Sequence, residues 1–376
     1  MTHRERILAA LNHTPPDRVP VDLGSNLATS INERAYAALR HNLGLAPEDS
    51  PALLSFRAAT VIPAGDMVRR FDLDARPLLA GSPDSRPDRR VTEDTYVDEW
   101  GVAWTKPPGG HYINTGGPFQ DLVDPGLKCL ETYDWPDPYD PGRYRGLRER
   151  ARSMHENSDY AVVLNLWVGP IHLCQFLRGF AEWLEDLLLN QLFAEGLLER
   201  VVDFWVPAVD RALAEAGEFV DVVVFYDDLG TQKAPLIRPE LYRRVIKPHH
   251  RRMTETARRH GKKILWHSCG SVYQFIPDLI EIGVDALNPV QVSAAHMDTK
   301  RLKREFGRDL AFWGGVDTGK VLPLGTPAEV REEVKRRIED LAAGGGYILA
   351  AVHNIQADVP PQNVVAMFDA AREFGS

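Results

Sequence analysis

From about residue 161 to the C-terminus, short apolar runs alternate with longer segments in which apolar positions recur every three or four residues. The runs are Ala161–Leu164, Val222–Phe225, Lys263–Trp266, Ala286–Asn288, Leu310–Trp313 and Tyr347–Ala351. Unbroken apolar character over so few residues predicts strands buried on both faces, as in a parallel sheet. The segments between them read as helices, around Phe176–Leu189, Phe193–Ala216, Pro239–His260, Val272–Ile282, Thr299–Phe306, Pro327–Leu341 and Gln362–Phe374. Pro239 occupies a first-turn position where its missing N–H does no harm. Strands alternating with helices imply parallel pairing through right-handed crossovers.

The first half is less regular. Thr2-His3-Arg4-Glu5 fits a capping box, followed by an apolar stripe at Ile7, Leu8 and Leu11. A short strand near Val19–Leu23 and a weaker one near Phe71–Leu79 bring the total to about eight. An α/β fold follows, a (β/α)8 TIM barrel. Gly81–Pro87 reads as a loop, Tyr96–Trp104 with His111–Ile113 as an inserted β-hairpin, and Trp135–Pro141 as an irregular connection. The chain is expected to be one domain, 1–376, with an insertion at about 82–142.

Composition narrows the partners. The formal net charge of −9 over 376 residues argues against a sequence-independent nucleic-acid binder, which needs a basic surface. The doublets Arg243-Arg244, Arg251-Arg252 and Arg258-Arg259 read as a solvated helix face. Three scattered cysteines, Cys129, Cys174 and Cys269, fit a reducing compartment better than a disulfide framework. The first residues lack a signal-peptide core, and no segment has the apolar length of a membrane span. A cytoplasmic protein is expected, as monomer or homodimer.

In a barrel, polar residues just past strand C-termini line the mouth. Four predicted strands end in such residues: Tyr226-Asp227-Asp228, His267-Ser268-Cys269-Gly270, Gly314-Gly315-Val316-Asp317, and Val352-His353-Asn354-Ile355-Gln356. Each also fits a plainer role. Asp227 and Asp228 suit helix capping, Asp317 a turn, His353 a hydrogen-bonded structural histidine, and His267 with Cys269 a packed core. On a strand, however, positions i and i+2 share a face, so His267 and Cys269 project together. Strand ends converge on one axis, which brings His353 toward the pair and an acid from Asp227 or Asp228 nearby. Three protein ligands with one open position is the pattern of catalytic zinc.

Over essentially its full length the chain resembles the uroporphyrinogen decarboxylase superfamily. The resemblance rests on Arg4–Leu11 through Asp17–Val21, on Trp266–Gly270, on Gly314–Asp317, and on His353 through Pro360-Pro361-Gln362-Asn363. It implies a (β/α)8 barrel and two kinds of enzyme: porphyrinogen decarboxylases, and a zinc-dependent branch that moves methyl groups to or from corrinoids. The decarboxylases carry a Met-Arg-Gln-Ala-Gly-Arg stretch after the first strand. Here that window is Asp22-Leu23-Gly24-Ser25-Asn26-Leu27-Ala28, without the arginines that bind carboxylates bidentately. His267-x-Cys269 resembles the zinc motif of the methyltransferase branch, whose third ligand is usually a late cysteine. The resemblance implies His353 in that place.

One thiolate and two imidazoles leave zinc about one unit positive, which suits a Lewis acid acting on oxygen. The expected activity is therefore zinc-dependent transfer of methyl between a methoxylated small molecule and a corrinoid (cobalamin), the latter carried on a partner protein. Asp227 or Asp228 would supply a proton or complete the metal shell. Trp167, Tyr226, Asn288 and Gln356 are the expected substrate contacts, with the aromatics Trp100 and Trp104 as further walls or as core. The rivals are a corrinoid-to-thiol methyltransferase, a decarboxylase of a smaller acid, and a non-enzymatic corrinoid or tetrapyrrole carrier.

Overall fold

In the computed structural model, which describes residues 1–166 and 169–376, the apolar runs pair as expected. The barrel strands are β1 (residues 20–22, a single parallel bridge from Val21 to Leu349), β2 (Ala75–Leu79), β3 (Ala161–Asn165), β4 (Val222–Tyr226), β5 (Lys263–His267), β6 (Ala286–Asn288), β7 (Ala311–Val316) and β8 (Tyr347–Ala351). Strands β2 to β8 form one parallel sheet in chain order. β1 closes it. Leu349 N donates to the Pro20 carbonyl at 2.9 Å, Asp22 N to the Leu349 carbonyl at 3.0 Å, and Asp74 N to the Val21 carbonyl at 2.9 Å. The fold is a (β/α)8 barrel. β1 is shorter than the predicted Val19–Leu23 because Pro20 has no N–H to donate and Gly24 turns the chain at φ +81.

Strand parity sorts the core into two layers. Ala161, Val163, Val222, Val224, Leu265, Ala286, Ala311, Trp313, Ile348 and Ala350 pack inside the barrel. Their neighbours Val162, Leu164, Val223, Phe225, Ile264, Trp266, Leu287, Phe312 and Leu349 face the surrounding helices. The helix His3–Leu11, whose capping box forms as expected, plugs the barrel with Ile7, Ala10 and Leu11. Among the described residues, no helix is long and apolar enough to cross a membrane.

Several elements depart from the sequence reading. The helix expected at Phe176–Leu189 is two helices, Pro170–Arg178 and Phe180–Leu189, separated by Gly179 at φ +102. The helix expected at Pro239–His260 comprises Pro239–Leu241, a π turn at Tyr242–Ile246, and Lys247–Arg259. Pro248, lacking an N–H, sits just past the π turn, where a regular ladder would lose a bond. Val272–Ile282 is a 3₁₀ turn, Tyr273–Phe275, leading into Ile276–Glu281.

The inserted hairpin is a four-stranded antiparallel sheet of Arg89–Arg90, Thr95–Val97, Ala103–Thr105 and Ile113–Gly116. Its outer strands are short and exposed, so they leave no alternating pattern to read. Trp100 and Trp104 are buried where this sheet meets the barrel helices. Trp104 lies edge-on to Phe176 at 5.0 Å and Trp100 edge-on to Phe204 at 4.7 Å. Arg57 clips the sheet to the preceding loop. It bonds to Tyr96 Oη and Asp98, with its guanidinium 4.0 Å from the Trp104 ring centre.

Candidate metal centre

Tyr226, His267 and Asn288 end adjacent strands in one layer. The parallel register pairs Tyr226 with His267 and His267 with Asn288, and all three share the parity that faces the lumen. The chain leaves β5 through Ser268 and Cys269 and turns at Gly270, where φ is +87. A Cβ at Gly270 would lie 2.5 Å from the Gly230 backbone, so only glycine allows this approach. Cys269 thus stays beside His267, with Sγ 3.4 Å from His267 Nε2. His353 follows β8, its ring 5.5 Å from that of His267 and steeply tilted to it. One ligand atom from each of His267, Cys269 and His353 lies within 4.8 Å of the others.

The tautomer of His267 follows from its neighbours. The Asn288 Nδ2 donates to the Trp313 carbonyl at 3.0 Å, which leaves Oδ1 to accept from His267 Nδ1 at 2.6 Å. The lone pair therefore sits on Nε2, the atom facing Cys269. Burial lowers the pKa of His267, and burial together with the neighbouring His267 lowers that of His353 to about 4. Burial and then Asp228 push the Cys269 thiol up. The cluster brings two imidazoles and a thiol together beside a carboxylate. This donor set fits zinc, since neutral imidazoles are ready ligands and the thiol ionises as a cation binds.

The two acids have different surroundings. Asp228 is partly exposed, accepts the Cys269 amide at 2.7 Å, and lies 3.9 Å from His267 Nε2 and 3.5 Å from His172 Nε2. Burial opposes its charge, but the His172 hydrogen bond and charge prevail and hold the carboxyl below its ordinary range. Asp227 is fully buried. It accepts from the amides of Ile171 and His172, both at 3.1 Å, and meets His250 Nε2 at 2.9 Å. Its carboxylate caps the helix Pro170–Arg178 and pairs with His250.

His172 was not singled out from the sequence. Its Nδ1 lies 3.4 Å from Asp227 Oδ1. Burial disfavours its charge, yet the two aspartates outweigh that and raise its pKa to about 10. The available signal was its place in Gly169-Pro170-Ile171-His172, a helix start just beyond β3. His250 was missed as well, and its partnership with Asp227 has no local signature.

Of the expected substrate contacts, Asn288 is fully buried and committed to His267 and Trp313. Tyr226 is buried with its hydroxyl donating to Asn165 Oδ1 at 2.7 Å and accepting from Leu27 N at 3.0 Å, and its ring is 5.6 Å from that of His267. These bonds occupy the polar atoms of both residues within the protein. Gln356 Oε1 lies 3.2 Å from His111 Nε2. Trp167 lies outside the described residues. Asp317 makes the expected turn, accepting from Gly319 N at 2.8 Å.

Residues 119–374 match the family model described as Uroporphyrinogen decarboxylase (URO-D). A uroporphyrinogen decarboxylase of Alkalilimnicola ehrlichii is 24% identical over 381 residues, covering 98% of this chain and 94% of that protein. The methylated-thiol–coenzyme M methyltransferase of Methanosarcina mazei is 25% identical over 254 residues, 67% of this chain. A uroporphyrinogen decarboxylase of Pseudoalteromonas translucida is 30% identical over 106 residues. The matched stretch spans 27% of that decarboxylase and 65% of the methyltransferase. In three dimensions a methyltransferase from Methanosarcina mazei superposes with a TM-score of 0.69 at 19% identity, covering 100% of this chain and 99% of that one. That likeness concerns the fold.

Proposed function

The chain belongs to the uroporphyrinogen decarboxylase (URO-D) family, and on that premise we propose that it is a zinc-dependent methyltransferase. It would transfer methyl between a methoxylated small molecule and a corrinoid on a partner protein. The observation that carries this reading is the convergence of His267, Cys269 and His353 on one point at the barrel mouth, with Asp228 and His172 beside it. The window after β1 argues against a decarboxylase of polycarboxylated tetrapyrroles. Asp22 there bonds to Ser25, Thr29 and Trp313, and no arginine lies between Asp22 and Ala28.

His267 Nε2, Cys269 Sγ and a nitrogen of His353 would hold the metal, and Asn288 would fix the His267 ring through Nδ1. Zinc held by one thiolate and two imidazoles supplies Lewis acidity toward a substrate oxygen. When methyl leaves that oxygen as a cation equivalent, the oxygen keeps the electron pair and requires a proton. His172, with Nδ1 3.4 Å from Asp227 and Nε2 3.5 Å from Asp228, would supply it, and Asp228 would steady the imidazolium. Asp227 supports the arrangement through the helix start and His250.

The test begins with metal analysis of the purified protein, expected to give about one zinc per chain. Incubation of methoxylated compounds with reduced cobalamin should give methylcobalamin and the demethylated product. Cys269→Ala should lose both zinc and transfer. Transfer by a metal-free protein would overturn the proposal, and carbon dioxide release without any corrinoid would favour decarboxylation of a smaller acid.

A second reading, methyl transfer to or from a thiol, is favoured by the relative from Methanosarcina mazei named for methylated thiols. The two separate on whether a methoxy compound or a thiol perturbs the near-edge absorption spectrum of the metal.

A further inference from the structure

Cys269 and His353 line a cleft of about 380 Å³ together with Ser293, Asp317, Thr318 and Lys320. Lys320 is the one cation among the described residues lining that cleft, and it is exposed. No carboxylate among the described residues lies within ion-pair distance of its ammonium, including Asp317, whose Oδ1 is occupied by the Gly319 amide. The other polar side chains on the wall are already committed. Gln291 accepts from Gly270 N and donates to Gln232, which in turn donates to the Ser293 carbonyl. Lys320 and the hydroxyls of Ser293 and Thr318 are left with free donors. One ammonium and two hydroxyls make a donor set for a small oxyanion.

We propose that Lys320, Ser293 and Thr318 form an anion subsite in this cleft, and that the substrate carries a carboxylate as well as its reacting methyl group. The proposal rests on the methyltransferase reading, because it takes the Cys269–His353 end as the reacting end. A cleft of this volume lies in the range that encloses a single small ligand, so one molecule can meet the ligand cluster and Lys320 together. The three monomethoxybenzoates and 3-(methylthio)propionate are suitable probes, each paired with its neutral methyl ester.

Binding of each acid and ester to the purified zinc-loaded protein, without corrinoid, is measured by isothermal titration calorimetry. At least one acid should bind about tenfold or more tighter than its ester, the size of a charge-assisted contact. Lys320→Met should abolish that preference while leaving ester binding and zinc content unchanged, and Lys320→Arg should keep most of it. No acid binding better than its ester, or a preference that survives Lys320→Met, overturns the subsite. Because binding is read without methyl transfer, this failure is distinct from failure of the catalytic reading. That reading stands or falls on zinc content and methylcobalamin formation.

Discussion

Replacing Asn288 by alanine tests whether the residue positions the metal ligand or contacts substrate. The side chain is fully buried and makes two bonds, 2.6 Å to His267 Nδ1 and 3.0 Å to the Trp313 carbonyl. Truncation removes the partner of a buried donor and of a buried acceptor together. At about 1–3 kcal/mol for each stranded group, the metal-free protein should lose about 2–6 kcal/mol of stability, read as a lower guanidinium midpoint. The His267 ring would also lose the contact that fixes its tautomer. Zinc affinity should fall about 10- to 100-fold, measured by competition with a chromophoric chelator.

Asn288→Asp keeps the acceptor for His267 and loses the donor to Trp313. It should therefore retain zinc while remaining less stable than wild type. An Asn288→Ala protein that binds zinc within twofold of wild type, and shows only a raised KM for its substrate, would refute the positioning role. It would support the substrate-contact role expected from the sequence.

The buried acid Asp227 should behave unlike its neighbour. Asp227→Asn breaks a fully buried set around His250 and a helix start, and should cost about 3–5 kcal/mol in a denaturant titration. Asp228→Asn should leave the midpoint nearly unchanged while impairing methyl transfer. His172 gives a pH signature in the metal-free protein. Its folded pKa is raised to about 10, above the ordinary histidine value. Its contribution to stability is therefore fully present below that ordinary value and lost as pH rises through about 10. The stability gap between wild type and His172→Gln should shrink over that window, and NMR should find the His172 imidazolium still protonated at pH 8. A His172 resonance that titrates near its ordinary value would contradict the ion-pair geometry.

Much of the architecture was legible along the chain. Parallel strands buried on both faces must be short and apolar, and intervening helices must carry a stripe every three to four residues. β6 at Ala286–Asn288 and the helices Thr299–Phe306 and Pro327–Leu341 fall where the pattern puts them. The pattern failed where a backbone detail outweighs periodicity. Gly179 splits one helix, Pro248 accompanies a π turn in another, and the short exposed strands of the insertion have no apolar alternation to betray them.

For the candidate site, adjacency in sequence was enough to pair His267 with Cys269, because two residues apart on a strand is a local geometric fact. The sequence also bounded the chemistry, through a His-x-Cys pair, an arginine-free window after β1, and aspartates at the end of β4. It could not assign work to individual polar residues, since that depends on which strand lies beside which and in what register. Closure of the barrel brings His353 to the pair. The β5–β6 register makes Asn288 the partner of His267, and the helix after β3 delivers His172 between two aspartates of β4. Those aspartates are consecutive in the chain, so their side chains diverge. One is buried under a helix start and the other opens to the mouth, a separation of roles that only the folded backbone decides.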